Sequence, residues 1–247
     1  MLPNIGFLDT YSVMLFIGII ICFWIFLKYG IKNNLSRNYI YDILLMTCVV
    51  IGLGILSAFG FQRIFDVLKS NSTNGIGSMT FFGGLFGGVL AFLLGYKFYI
   101  KKKYPQSSFI KDIAMIAPAC ICIAHCFGRI GCFFAGCCYG KQTDSFLGIK
   151  FPGMLISVYP TQLFEALFLL LLFCILFYLA YYKKNIFTLP IYAVSYGAFR
   201  FLIEFIRGDD RGVFILNLSP SQWFSIISVI IGIILFIHYK KKFKNIV

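Results

Sequence analysis

Charge is what this sequence has least of. Only 13% of its 247 residues are charged, 60% are hydrophobic, and the mean hydropathy is +0.88. A soluble domain carries roughly 25% charged residues, so a water-soluble globular protein is excluded and an integral membrane protein is indicated. Histidine is nearly missing, with two in the chain. There is no internal repeat and no low-complexity linker, and the expectation is one domain over residues 1–247. The start, MLPNIGFLDT, lacks a basic segment and a small-residue cleavage site, so no cleavable signal peptide is expected.

What is plentiful is apolar sequence in long runs. They lie at about Tyr11–Leu27, Ile40–Phe61, Met79–Ile100, Ile113–Phe127, Thr161–Tyr182, Leu189–Ile206 and Gln222–His238. A membrane helix needs about 20 residues, so the expected fold is all-α with seven transmembrane helices. The fourth run is short and ends in HCFGRIGCFFAGCCYG, residues 125–140. It is expected to finish there as broken backbone, which is tolerated at membrane depth only inside protein or along a wet cavity.

The charge that is present is mostly of one sign, +13 net. Its lysines and arginines group as Lys28, Lys32 and Arg37; Lys101, Lys102 and Lys103; Lys183 and Lys184; and Lys240, Lys241, Lys242 and Lys244. These groups fall on alternate connections, which by the positive-inside rule puts the N-terminus outside and the C-terminus in the cytoplasm. Anionic membrane lipids, rather than nucleic acid, are the partner this predicts. The other connections are mixed in sign, and KSNSTNGIGS and GKQTDSFLGIKFPG read as outer loops.

Ionisable groups inside spans cost roughly 2.5–3.5 kcal/mol each and need a partner or a task. In YGAFRFLIEFIRGD, Tyr196, Arg200, Glu204 and Arg207 recur at helical spacing and share a face. Arg200 and Glu204 form either a structural i,i+4 ion pair or a guanidinium for phosphate with a carboxylate as proton acceptor. In YPTQLFEALF, Pro160 opens the fifth helix, with Gln162 and Glu165 on its outer end. Glu165 is either an acidic group near the dipole's positive end or the holder of an arginine. Arg129 has no acidic neighbour in sequence and calls for a tertiary carboxylate or an anion. Gly128, Gly131, Gly136 and Gly140 around it leave backbone bare, while the GGLFGG of the third run is explained by helix packing alone.

Six cysteines crowd residues 120–138. Cys122 and Cys126 have zinc-like spacing, and Cys132 with Cys137 or Cys138 is a looser pair. The commoner use of cysteine in a greasy helix is as a small apolar filler. Cys137 and Cys138, near the outer face, are the exception open to oxidation. His125 is either a general base or a packed ring bonded to a carbonyl.

GRIGCFFAGCCYG resembles the Gly-Arg-x-Gly-Asn-Phe signature of the prolipoprotein diacylglyceryl transferases. YPTQLFEAL is similar to that family's Pro-x-Gln-Leu-Tyr-Glu segment, YGAFRFLIEFIRGD to its Tyr-Gly-x-x-Arg-x-x-x-Glu-x-x-Arg segment, and Tyr11 falls where the family has a tyrosine. The resemblance implies a seven-span enzyme that moves the diacylglyceryl group of phosphatidylglycerol onto a preprolipoprotein lipobox cysteine, at the outer face of the bacterial cytoplasmic membrane. A thioether forms and glycerol phosphate leaves. The implied catalytic residues are Arg200, Glu204 and His125. The implied substrate-binding residues are Arg129, Tyr196, Arg207, Gln162, Glu165, Tyr11 and Gly140. No metal, nucleotide or other cofactor is expected, because the lipid is already activated as a phosphodiester. The sequence departs from the pattern at three places. The family's His-Gly-Gly reads Phe82-Gly83-Gly84, its signature asparagine is Cys132, and a later glutamate is Cys137. The missing histidine is implied in activating the acceptor thiol: either His125 takes that task, or the thiol ionises beside the arginines with no base, or the acceptor differs. Two alternatives stand beside this reading: a phosphatidylglycerol-dependent transferase with another acceptor, and a non-enzymatic cysteine-rich metal-binding or redox membrane protein.

Overall fold

The computed structural model describes residues 4–5, 8–68, 81–208 and 218–242. Seven helices are long and apolar enough to cross a membrane: Thr10–Lys32, Arg37–Ile64, Gly83–Lys103, Phe109–Ala135, Thr161–Tyr181, Thr188–Ile206 and Pro220–Lys242. The all-helical expectation has one small exception, a two-residue antiparallel pair of strands, β1 (Asn4–Ile5) and β2 (Leu8–Asp9). The loop KSNSTNGIGS and the acidic pair Asp209–Asp210 lie outside the described residues.

We label the α-helices α1 (Thr10–Lys32), α2 (Arg37–Leu68), α3 (Phe81–Gly95), α4 (Ala117–Ala135), α5 (Thr161–Tyr181), α6 (Thr188–Ile203) and α7 (Pro220–Lys242). The third span continues past α3 through a π turn, Tyr96–Ile100, to Lys103. The fourth begins with a π turn at Phe109–Ala114. The chain forms two compact units, residues 30–108 and residues 1–29 with 109–247.

Within the 30–108 unit, α2 and α3 lie close because their facing residues are small. A Cβ on Gly87 would clash with the Ser57 side chain, and one on Gly54 would sit 3.3 Å from the Gly84 carbonyl oxygen. This is the small-residue packing that membrane helices use in place of a hydrophobic drive. Ser57 also donates to the Gly83 carbonyl at 2.8 Å. At the other end of this helix pair, Lys103 Nζ lies 2.7 Å from Asp42 Oδ2, and Tyr104 donates to the same oxygen at 2.7 Å.

The larger unit is built around α4, whose span is 61% buried against 17–33% for α1, α5, α6 and α7. Buried polar side chains tie neighbours to it, as an oily medium requires. Thr188 donates to the Met115 carbonyl at 2.7 Å, Tyr29 to the Lys111 carbonyl at 2.6 Å, and Thr161 to the Cys138 carbonyl at 2.9 Å. Outward faces carry large apolar groups such as Phe16, Leu167 and Leu202, all mostly exposed, the surface a bilayer would cover.

The expectation of a short, broken fourth span is corrected. The span is 27 residues long, and α4 runs unbroken through Gly128–Gly131 to Ala135. The sequence misled because Lys111 and Asp112 interrupt the apolar run at the π turn, and because glycines read as breakers where they serve packing. The helix stops at Gly136, whose φ of +70° is left-handed, the conformation that ends many helices and that favours glycine. From there the chain turns back across the helix ends. Gly140 donates to the Tyr159 carbonyl at 2.7 Å, Lys141 to the Ile206 carbonyl at 2.8 Å, and Gly208 to the Tyr139 carbonyl at 3.3 Å.

Candidate active site

The ionisable residues singled out in three distant stretches meet at one end of the larger unit. Arg129 comes from the last turns of α4, and Glu165 from the start of α5. Arg200 comes from the end of α6, Glu204 from the 3-10 turn Glu204–Ile206 that extends it, and Arg207 follows. Their charges alternate along a row. Arg129 Nε lies 3.0 Å from Glu165 Oε2, and Arg207 Nη1 lies 3.9 Å from that same oxygen. Arg207 Nε lies 3.9 Å from Glu204 Oε2, and Arg200 Nη2 closes the row at 2.6 Å from it. The last contact is the i,i+4 pair the helical spacing offers. Glu165 is completely buried, and Arg207 and Arg200 are 4% and 8% exposed. Removing one member of such a buried pair strands the other charge, at about 3–5 kcal/mol.

Two aromatic rings complete the Glu165 end. Tyr196 donates to Glu165 Oε1 at 2.8 Å. His125 Nε2 lies 3.6 Å from that oxygen and accepts from Arg129 Nε at 3.3 Å. In this arrangement the Nε2 lone pair is engaged by Arg129. The His125 ring meets the Tyr196 ring edge-on at 5.3 Å.

The remaining predicted residues support this row from its surroundings. Gln162 is completely buried and donates to the Cys137 carbonyl at 2.6 Å, while its Oε1 has no hydrogen-bond partner among the described residues. Gly140 forms a backbone bridge to Arg207. A Cβ there would be 2.7 Å from the Ile206 carbonyl oxygen, so only glycine fits without displacement. Tyr11, at the start of α1, is seated against Gly131, one turn-half along α4 from Arg129.

Ser219 is a member that sequence reasoning missed. Its hydroxyl donates to Glu204 Oε1 at 2.8 Å. Ser219 also opens α7 in a reciprocal cap: its N–H donates to Gln222 Oε1 at 2.9 Å, and the Gln222 N–H donates to its Oγ at 3.3 Å. The sequence signal was Ser219-Pro220-Ser221-Gln222, the capping-box pattern with proline at the first helical position.

All nine cysteines are free thiols. The Cys138 thiol is held well below its usual range, first by a hydrogen bond from Cys132 and then by the Arg207 and Arg129 charges, against the opposing effect of burial. Burial pushes the neighbouring Cys137 up.

Seven helices apolar enough to cross a membrane, with three guanidinium groups and two carboxylates in one buried row of the larger unit, define a multi-pass membrane protein. The family model of prolipoprotein diacylglyceryl transferase matches residues 2–238, and the chain belongs to that family. Among its relatives is the phosphatidylglycerol–prolipoprotein diacylglyceryl transferase of Clostridium tetani, 32% identical over 240 residues, covering 92% of this chain and 91% of the relative. The Clostridium perfringens protein named phosphatidylglycerol–prolipoprotein diacylglyceryl transferase 2 is also 32% identical, over 92% of this chain and 89% of its own length. The transferase of Finegoldia magna is 31% identical, over 94% and 91%. All three relatives bear a transferase name, and the non-enzymatic alternative is not favoured.

Proposed function

We propose that this chain transfers the diacylglyceryl group of phosphatidylglycerol to the lipobox cysteine thiol of prolipoproteins, forming a thioether and releasing glycerol phosphate. The names of its relatives supply the two substrates. The observation that carries the chemistry is the convergence of Arg129, Arg200 and Arg207, together with Arg200 Nη1, which is buried and makes no hydrogen bond among the described residues. A buried donor without a partner is costly, and an entering phosphate oxygen supplies one.

In this reading the phosphodiester of the donor lies against Arg129, Arg200 and Arg207. As Arg129 Nε–H turns from His125 Nε2 to the donor phosphate, the acceptor thiol gives its proton to that freed nitrogen, and the thiolate attacks the glyceryl carbon that bears the phosphate oxygen. The carbon–oxygen bond breaks, and its electron pair goes to the departing phosphate, where guanidinium donors placed in advance stabilise the new charge. Glu204 and Ser219 orient Arg200, and Glu165 and Tyr196 orient Arg129. Gln162 Oε1 accepts from a donor hydroxyl. The lipid phosphodiester is itself the activated group, so the step needs no metal or nucleotide.

The basic residues at alternate helix ends support an N-terminus outside, a cytoplasmic C-terminus and a site towards the outer face of the cytoplasmic membrane. The whole chain then acts as one transferase domain, surrounded by membrane lipid. The test is purified protein incubated with labelled phosphatidylglycerol and a lipobox peptide. Thioether formation with release of glycerol phosphate is expected. Donor cleavage without a thioether would assign a different acceptor, and no cleavage would remove the reading.

A further inference from the structure

Three thiols converge at the C-terminal end of α4, beside the charge row. The Sγ atoms of Cys132, Cys137 and Cys138 all lie within 4.8 Å of one another. Backbone geometry brings them together. Left-handed Gly136 reverses the chain, and the Cys137 N–H then donates to the Cys132 carbonyl at 3.1 Å. Cys138 follows with φ of +63°, uncommon for a residue with a side chain, and this turn returns its thiol toward Cys132.

The spacing suits a metal. A zinc–sulfur bond is about 2.3 Å, which puts two ligand sulfurs of one ion about 3.8–4.0 Å apart. Small side-chain rotations close the remaining gap. The burial suits one as well: Cys132 is buried, Cys138 is half-buried and Cys137 is exposed, so an ion has an anchor inside and an entrance outside. Thiolates select soft ions. Arg129 interacts electrostatically with both Cys132 and Cys138, which offsets the negative charge of a thiolate cluster. Cys122 and Cys126, the pair with zinc-like sequence spacing, are not in this group: the Cys126 thiol instead donates to the Ala166 carbonyl at 3.3 Å.

We propose that Cys132, Cys137 and Cys138 form a three-thiolate site for a soft metal ion of the Zn2+, Cd2+ or Cu+ class. The site is independent of the reaction proposed above.

The experiment uses the full chain in detergent, reduced, with Cd2+ as the probe. An ultraviolet sulfur-to-cadmium band saturating at one ion per chain is expected, with Cys137 protected from alkylation in the unmutated protein. Cys132→Ala and Cys137→Ser are expected to weaken binding by roughly tenfold or more. The triple variant Cys22→Ala, Cys48→Ala, Cys174→Ala is expected to bind as the parent does. Absence of the band, or its persistence in the double variant Cys137→Ser, Cys138→Ser, overturns the site.

Discussion

Arg129 and Arg207 address the same oxygen of Glu165, from 3.0 and 3.9 Å. One carboxylate thus links a guanidinium from the fourth span to one that follows the sixth. Glu165 is therefore the residue on which the geometry of the row depends, and Glu165→Gln keeps an acceptor for Tyr196 while removing the charge. Loss of one partner of a buried ion pair costs about 3–5 kcal/mol. The expected outcome is a lower melting temperature in detergent together with loss of transfer, read by thermal unfolding and by labelled-lipid assay.

Replacing a guanidinium tests the phosphate contact directly. Arg129→Ala and Arg200→Ala are each expected to lower transfer by about 10²–10³, the usual cost of one preorganised donor, while the protein still reaches the membrane fraction. Near-normal transfer in either variant would remove the phosphate clamp.

The base is tested by pH. His125→Asn is expected to slow transfer at neutral pH by about 10²–10⁴. The deficit should shrink as pH rises through the thiol's own range near about 8.5, because a thiol already ionised needs no base. A deficit constant across the profile would assign His125 a packing role.

Gly140 holds the loop after α4 against Arg207, and a Cβ there meets the Ile206 carbonyl at 2.7 Å. Gly140→Ala is expected to cost about 1–3 kcal/mol, as overpacking does, and to lower transfer by displacing Arg207. Both effects are measurable on the purified variant.

Thr188 serves as a contrast. Its hydroxyl bonds the Met115 carbonyl far from the charge row. Thr188→Val is expected to cost about 1 kcal/mol of stability and to leave the transfer rate unchanged, which separates folding losses from losses of chemistry in the other variants.

The sequence made some of this legible and hid the rest for physical reasons. The Arg200–Glu204 pair was readable because a helix fixes the distance between residues four apart. The apolar runs located seven spans because the bilayer sets their length. The joining of Arg129 to Glu165 was not readable in the same way. It depends on how α5 packs against α4, and sequence spacing carries no such distance. The Gly/Cys stretch looked like broken backbone, yet it is regular helix up to Gly136, because glycine in a membrane span serves close approach as readily as it serves a turn. The grouping of Cys132 with Cys137 and Cys138 then depends on two left-handed residues on either side of Cys137, Gly136 and Cys138, and composition announces only the glycine. Ser219 was overlooked because a capping serine reads as local, while its proton reaches across to another helix.

The alternating row also bears on how a ligand enters and leaves. Glu165 and Glu204 offset two of the three guanidinium charges in the row, so one positive charge is left over for an arriving phosphate to balance. The oily interior therefore holds a standing demand for an anion, and the two carboxylates keep that demand to a single charge between one turnover and the next.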